Sequence, residues 1–184
     1  MRKTLTSDNF PLDISEMSIP NIAGKIGLSM CPGKKSDDGE WGLWDRNLKT
    51  DLQKIKNWGA KRIITLIEQH EFALLNVESL GKTIKAMNIQ WHHLPITDNH
   101  CPDSRFKKEW LKIKDEILQS LNKGEKILIH CRGGQGRAGT IAAEILINFN
   151  LNPQDAINHV RNIRPGAIVT KEQELYLLEK SLTN

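Results

Sequence analysis

Apolar positions along the chain switch repeatedly between two spacings. Leu48, Leu52 and Ile55 recur at the helical interval, and Gly59 stands where a left-handed cap belongs. Residues 62–67 then form a short β-branched run suited to a buried strand, residues 77–87 predict a helix, and residues 89–94 predict another strand. A loop over 95–102 leads to Asp103, which caps a long amphipathic helix carrying Phe106, Trp110, Ile113, Ile117 and Leu121 and closing at Gly124. Residues 126–130 (KILIH) predict a third buried strand, and a Gly-rich stretch after it runs into an apolar helix over 138–149. Asn152-Pro153 opens the next helix in cap-then-proline order, and Thr170 with Gln173 forms a capping box for the last one.

The front of the chain is less patterned. Residues 1–19 are polar and weakly periodic, residues 26–28 predict a short strand, and residues 31–42, rich in Gly, Lys and Asp, read as an exposed loop. The expected organisation is an N-terminal arm over 1–25 and one domain over 26–184. Strands alternating with helices predict an α/β fold: a single domain with a central, largely parallel sheet and helices on both faces. Ligands of such sheets bind beyond the carboxyl ends of the strands, which directs attention to the end of KILIH.

Composition narrows the setting. With 184 residues, 39% of them hydrophobic and 26% charged, the chain has the make-up of a soluble globular domain. Its net charge of +4 is spread along the sequence; it eases the approach of an anionic substrate and makes no case for nucleic acid. The three cysteines lie far apart with no CxxC pair, which points to a reducing compartment. Residues 1–10 lack the apolar stretch of a signal peptide, and no apolar run approaches the roughly 20 residues needed to cross a bilayer. A cytoplasmic location without integral membrane contact is expected; export without a cleavable signal stays open.

The stretch 130–140 reads HCRGGQGRAGT. Three glycines among the five residues between Cys131 and Arg137 let the backbone curl so that successive N–H groups point inward at a helix N-terminus, an anion nest. Arg132, Gly133, Gly134, Gln135 and Gly136 are thus candidate phosphate-binding positions. A cysteine on that rim has its thiolate stabilised, with a pKa that can fall from about 8.5 into the range of roughly 3.5–7.5. Arg137 can hold two phosphate oxygens through its planar fork, which lysine cannot do. A Walker loop is ruled out, because Arg137 and Ala138 stand where it needs Lys and Ser/Thr. His92, His93 and His100 lack ligand spacing with cysteines, so the residues make no case for a metal.

Cysteine chemistry on a phosphate ester needs a proton for the leaving oxygen and, later, an activated water. Asp98 follows the strand ending at Leu94-Pro95-Ile96, on a loop that should reach the same sheet edge. Asp103 competes for the role, but Pro102-Asp103 has the form of a helix start.

On these motifs the sequence resembles the HCx5R phosphatase superfamily, specifically its dual-specificity branch and within it the cyclin-dependent-kinase-associated phosphatase group. The resemblance spans roughly residues 26–178 and rests on HCRGGQGRAGT at 130–140, PITDNHCPD at 95–103, the helix over 51–59 before a strand, and RPGAIVTKEQ at 164–173. It implies a catalytic domain over 26–184, with no metal or organic cofactor, in which Cys131 attacks phosphorus, Arg137 binds the phosphoryl group, and Asp98 serves as acid and then base. His130 would hold the loop and tune the thiolate, and Gln173 would position the hydrolytic water, or simply cap its helix. The implied partner is a phosphorylated protein, carrying phosphotyrosine and also phosphoserine or phosphothreonine. A phosphoinositide or other small anionic phosphate ester is the alternative substrate, and a low-turnover phospho-binding regulator the alternative function. A sulfurtransferase would not need Asp98.

Two positions depart from expectation. Relatives usually carry Ser or Thr after the arginine, where a hydroxyl stabilises the departing thiolate; here Ala138 occupies it, and Thr140 comes two residues later. Arg132, just beyond the nucleophile, either faces the pocket mouth, favouring substrates with a second anionic group, or meets solvent.

Overall fold

The computed structural model describes residues 3–39 and 42–182. In chain order the strands are β1 (Thr4–Leu5), β2 (Ser15–Ile19), β3 (Ile22–Ser29), β4 (Lys35–Gly39) and β5 (Gly42–Asp45). There follow α1 (Leu48–Trp58), β6 (Ala60–Thr65), α2 (Gln69–Leu74), α3 (Leu80–Ala86) and β7 (Gln90–His93). The chain continues through α4 (Ser104–Asn122), β8 (Lys126–His130), α5 (Gly136–Asn148), α6 (Pro153–Ile163) and α7 (Lys171–Leu178), ending in a 3-10 turn at Glu179–Leu182.

Two sheets result. The main one runs β2-β3-β8-β6-β7, with β3, β8, β6 and β7 mutually parallel and β2 antiparallel on its edge. A small sheet, β1-β5-β4, flanks it. Alternation along the strands divides the core: Ile26, Leu28, Ile127 and Ile129 pack against α4, α5 and α6, whereas Ile63 and Leu128 pack against α1 and α3. This is the expected α/β fold with helices on both faces.

The elements that carry the site match the pattern closely. Asn47 caps α1, Gly59 ends it at φ +97°, Asp103 caps α4 through the N–H groups of Arg105 and Phe106, and Asn152 and Thr170 cap α6 and α7. Differences cluster at the front. Part of the expected arm supplies β2, whose alternate residues Met17 and Ile19 are buried, and β3 begins at Ile22 instead of 26 because Gly24 and Gly27 interrupt its apolar pattern without interrupting its ladder. The stretch read as an exposed loop over 31–42 is instead a buried turn, with Cys31 and Lys34 both inside, followed by the β4–β5 hairpin. Residues 1–2 of the arm and 40–41 of that loop lie outside the described residues. The helix expected over 77–87 is the shorter α3, and a further helix, α2, precedes it, with Asn76 at φ +54° between the two. Among the described residues no helix is long and apolar enough to cross a membrane.

Candidate active site

Cys131 follows directly on the central strand β8, at the carboxyl edge of the sheet, and is buried. The loop after it closes over the sulfur: the N–H of Gly134 donates to Cys131 Sγ at 3.2 Å. Gly134 has φ +75°, and a Cβ there would come within 2.3 Å of the Ser29 carbonyl group, so the loop lies directly against the end of β3. Gln135 sits at the N-cap of α5; its Nε2 donates to the Pro165 carbonyl, and its own carbonyl accepts from Gly139 and Ile168. Gly133, whose carbonyl accepts from Arg164, has open space where a side chain would stand, and the side of Gly136 faces the Gln173 amide. The backbone carbonyl of Arg132 accepts from the Cys31 N–H, tying the loop to the turn that follows β3.

Arg137, in the first turn of α5, is 1% exposed. Its Nη1 donates to Glu71 Oε2 at 2.5 Å and to the Ile96 carbonyl at 3.0 Å. Its Nη2 donates to Glu71 Oε1 at 2.9 Å and lies 3.0 Å from Asp98 Oδ1. The buried Nε has no protein partner among the described residues. The structure therefore brings Cys131, Arg137 and Asp98 together at one sheet edge, with Asp98 the most exposed of the three at 45% of its side chain.

Glu71 is the participant that sequence reasoning missed. It stands in the first turn of α2, 2% exposed, and also accepts from the Glu68 N–H at 2.7 Å. Burial works to raise its carboxyl pKa, but the Arg137 guanidinium and the Glu68 N–H hold it below the ordinary value. A signal existed: a Glu-x-x-Glu helix start immediately beyond a buried strand, at the carboxyl edge where ligands bind.

The supporting positions are placed as follows. His130 is fully buried, its Nε2 2.8 Å from Thr65 Oγ1 and its Nδ1 3.4 Å from the Cys131 carbonyl; burial lowers its pKa to about 4. The Thr140 hydroxyl donates to the Gly136 carbonyl at 2.8 Å, so it is committed to the helix start. Gln173, fully buried, accepts through Oε1 from the Val169 and Thr170 N–H groups and donates from Nε2 to the His100 carbonyl at 3.1 Å. Its amide thereby clamps the loop that carries Asp98. Asp103 spends its carboxylate on the cap of α4.

The chain is similar to known proteins in both sequence and fold. Residues 44–177 match the family model described as PTP-SAK, Swiss Army Knife protein, DSP-PTPase phosphatase domain. Cyclin-dependent kinase inhibitor 3 of Rattus norvegicus is 33% identical over 174 residues, covering 92% of this chain and 78% of the relative. A probable protein tyrosine phosphatase type IVA A of Dictyostelium discoideum is 36% identical over 128 residues, covering 70% and 72%. Among solved structures, kinase associated phosphatase with its catalytic-site cysteine changed to serine superposes with a TM-score of 0.81 at 31% identity, covering 92% of this chain and 93% of that one.

Proposed function

The chain belongs to the DSP-PTPase family of cysteine-dependent protein phosphatases, and from that membership we propose that Cys131 is its nucleophile, Arg137 its phosphate ligand and Asp98 its proton carrier. The observation that supports this most directly is the state of Arg137. Five protein oxygens, from Glu71, Asp98 and the Leu66 and Ile96 carbonyls, meet its two terminal nitrogens, while its buried Nε–H lacks a protein acceptor among the described residues. A buried donor of this kind costs free energy unless something accepts from it, and a phosphoryl oxygen beside Cys131 would do so.

The reaction then runs in two displacements. The Cys131 thiolate attacks phosphorus; the S–P bond forms as the ester O–P bond breaks, and protonated Asp98 gives its proton to the departing oxygen. The N–H groups of the loop and Arg137 take up the charge that spreads over the phosphoryl oxygens. In the second step Asp98, now a carboxylate, takes a proton from water as that water attacks phosphorus, and the S–P bond breaks to return the thiolate and inorganic phosphate. The substrate we infer is a phosphorylated protein carrying phosphotyrosine and also phosphoserine or phosphothreonine. Because relatives carry names denoting kinase association and kinase inhibition, a phosphorylated protein kinase is the first partner to try, and the cytoplasm is the place we assign to the encounter.

Phosphate release from para-nitrophenyl phosphate and from phosphopeptides tests the assignment. Cys131→Ser and Arg137→Lys abolish release, and Asp98→Asn slows it by about 10²- to 10⁴-fold. Retained release in Cys131→Ser overturns the nucleophile; phosphopeptide binding without release in the wild type shows a binding module instead.

A further inference from the structure

Thr65 ends β6 in register with His130 on one side and His93 on the other. It is fully buried, and its hydroxyl meets two partners: Trp91 Nε1 at 2.9 Å and His130 Nε2 at 2.8 Å. An indole N–H only donates, so Thr65 Oγ1 accepts from Trp91. The hydroxyl proton then has one acceptor among these contacts, the His130 Nε2 lone pair. Were Nε2 protonated instead, two donors would converge on Oγ1 and leave its own proton buried and unpaired, an arrangement that costs free energy. The remaining ring proton therefore sits on Nδ1, from which it is donated to the Cys131 carbonyl at 3.4 Å. The burial that keeps the imidazole neutral agrees with this assignment.

Trp91 is itself held for the purpose. Its ring lies over α3 where Gly81 has no side chain: a Cβ there would come within 2.4 Å of the indole. The ring is also stacked on His93, 5.7 Å between centroids and 4° between planes, and Lys85 Nζ lies 5.3 Å from its centre.

We propose that Thr65 and Trp91, seated by Gly81, are positioning residues for the nucleophile: their hydrogen bonds run in one direction from indole to hydroxyl to imidazole and fix the His130 tautomer that anchors the Cys131 carbonyl. The inference rests on Cys131 being the nucleophile. The anchored carbonyl sets the first peptide of the loop and so keeps the Gly134 N–H directed at the sulfur. Loss of the hydroxyl lets the ring choose the other tautomer, loosens that peptide and weakens N–H bonding to the thiolate. Arg137 of α5 and Lys34 and Cys31 of the turn after β3 also act on Cys131, and Glu71 and Asp98 act in turn on Arg137. Substitution at Thr65 keeps each of their charges, so a change in thiolate titration reports on the relay.

Long-range proton–nitrogen NMR on histidine-labelled wild-type protein reads the His130 ring directly. A protonated Nδ1 with a bare Nε2 is expected, and a protonated Nε2 overturns the proposal. Thr65→Val removes the hydroxyl at nearly constant shape, and Thr65→Ser restores it. Iodoacetamide alkylation of Cys131, followed by mass spectrometry against pH, is expected to shift its midpoint upward in Thr65→Val and back in Thr65→Ser. Over the same pair kcat/KM falls about 3- to 10-fold and recovers. Gly81→Ala, which displaces the indole, is expected to move the alkylation midpoint in the same direction. An unchanged midpoint in folded Thr65→Val, or no recovery in Thr65→Ser, overturns it. The NMR and alkylation readings need no turnover, so they separate failure of this relay from failure of the phosphatase assignment.

Discussion

Glu71 grips Arg137 with both carboxylate oxygens, at 2.5 and 2.9 Å, and both side chains are almost fully buried. The pair fixes the plane of the guanidinium before any phosphate arrives, and it supplies the counter-charge that a buried arginine needs. Removing the partner with Glu71→Ala leaves the buried cation with only the half-exposed Asp98 carboxylate as counter-charge. The expected cost is about 3–5 kcal/mol of folding stability, read by urea denaturation. Inorganic phosphate should recover part of it, because a bound anion takes over the missing charge. A loss below about 1 kcal/mol would mean that water reaches the guanidinium.

The acid loop is held from below by the start of α7. Glu172 accepts from the Cys101 N–H at 3.0 Å and meets His100 Nδ1 at 3.1 Å, while Gln173 reaches the His100 carbonyl. Gln173→Ala should lower kcat on para-nitrophenyl phosphate by about 3- to 10-fold with KM little changed, since Asp98 is placed less well and phosphate binding is untouched. Steady-state kinetics decide it; a rise in KM at constant kcat would assign the side chain to substrate binding.

Ala138 is fully buried and offers no hydroxyl to the departing sulfur, and Thr140 has given its own to Gly136. Phosphoenzyme hydrolysis should therefore be slow, and rapid-mixing experiments should show a burst. Ala138→Ser should quicken steady turnover by about 10- to 100-fold, the worth of one hydrogen bond to a charged leaving group. A linear first turnover, unchanged in the variant, would contradict this.

Stability should fall in two stages on acidification. Burial holds His130 near pKa 4 against an ordinary 6.5, so its contribution is complete above 6.5 and is lost as pH drops through 4. Glu16, which accepts from Lys25, Lys126 and Trp58 and so ties β2 to its neighbours, is lowered from 4.5 to about 2; its contribution is complete above 4.5 and lost towards 2. Thermal melts across this range should show both declines, and Glu16→Gln should shrink the lower one, to which Glu71 also contributes, while leaving the upper one unchanged.

Much of this was legible in local pattern. Cys131, Arg137 and the glycines between them sit within seven residues, and Asp98 follows a recognisable strand, so their chemistry survives reading in one dimension. Caps at Asp103, Asn152 and Thr170 were readable for the same reason. Glu71 was not, because its role exists only where α2 meets α5, across 66 positions of chain. Thr65 and Trp91 were hidden likewise: a threonine ending a buried strand and a tryptophan in the next say nothing of each other until the parallel ladder makes them diagonal neighbours. At the front, glycines in β3 diluted the apolar signal of a strand whose ladder is continuous.

Residues 137–147 of α5 are buried without a break, and the phosphate loop is the head of that helix. The helix should thus be among the last parts of the molecule to exchange its amide protons, since it opens only with what packs around it. The cradle shares that clock: it has no private route to disorder, and a protease or modifying reagent that needs it unfolded must wait for the whole domain. Asp98 and its loop, exposed and hung on a few hydrogen bonds, are free to keep faster time.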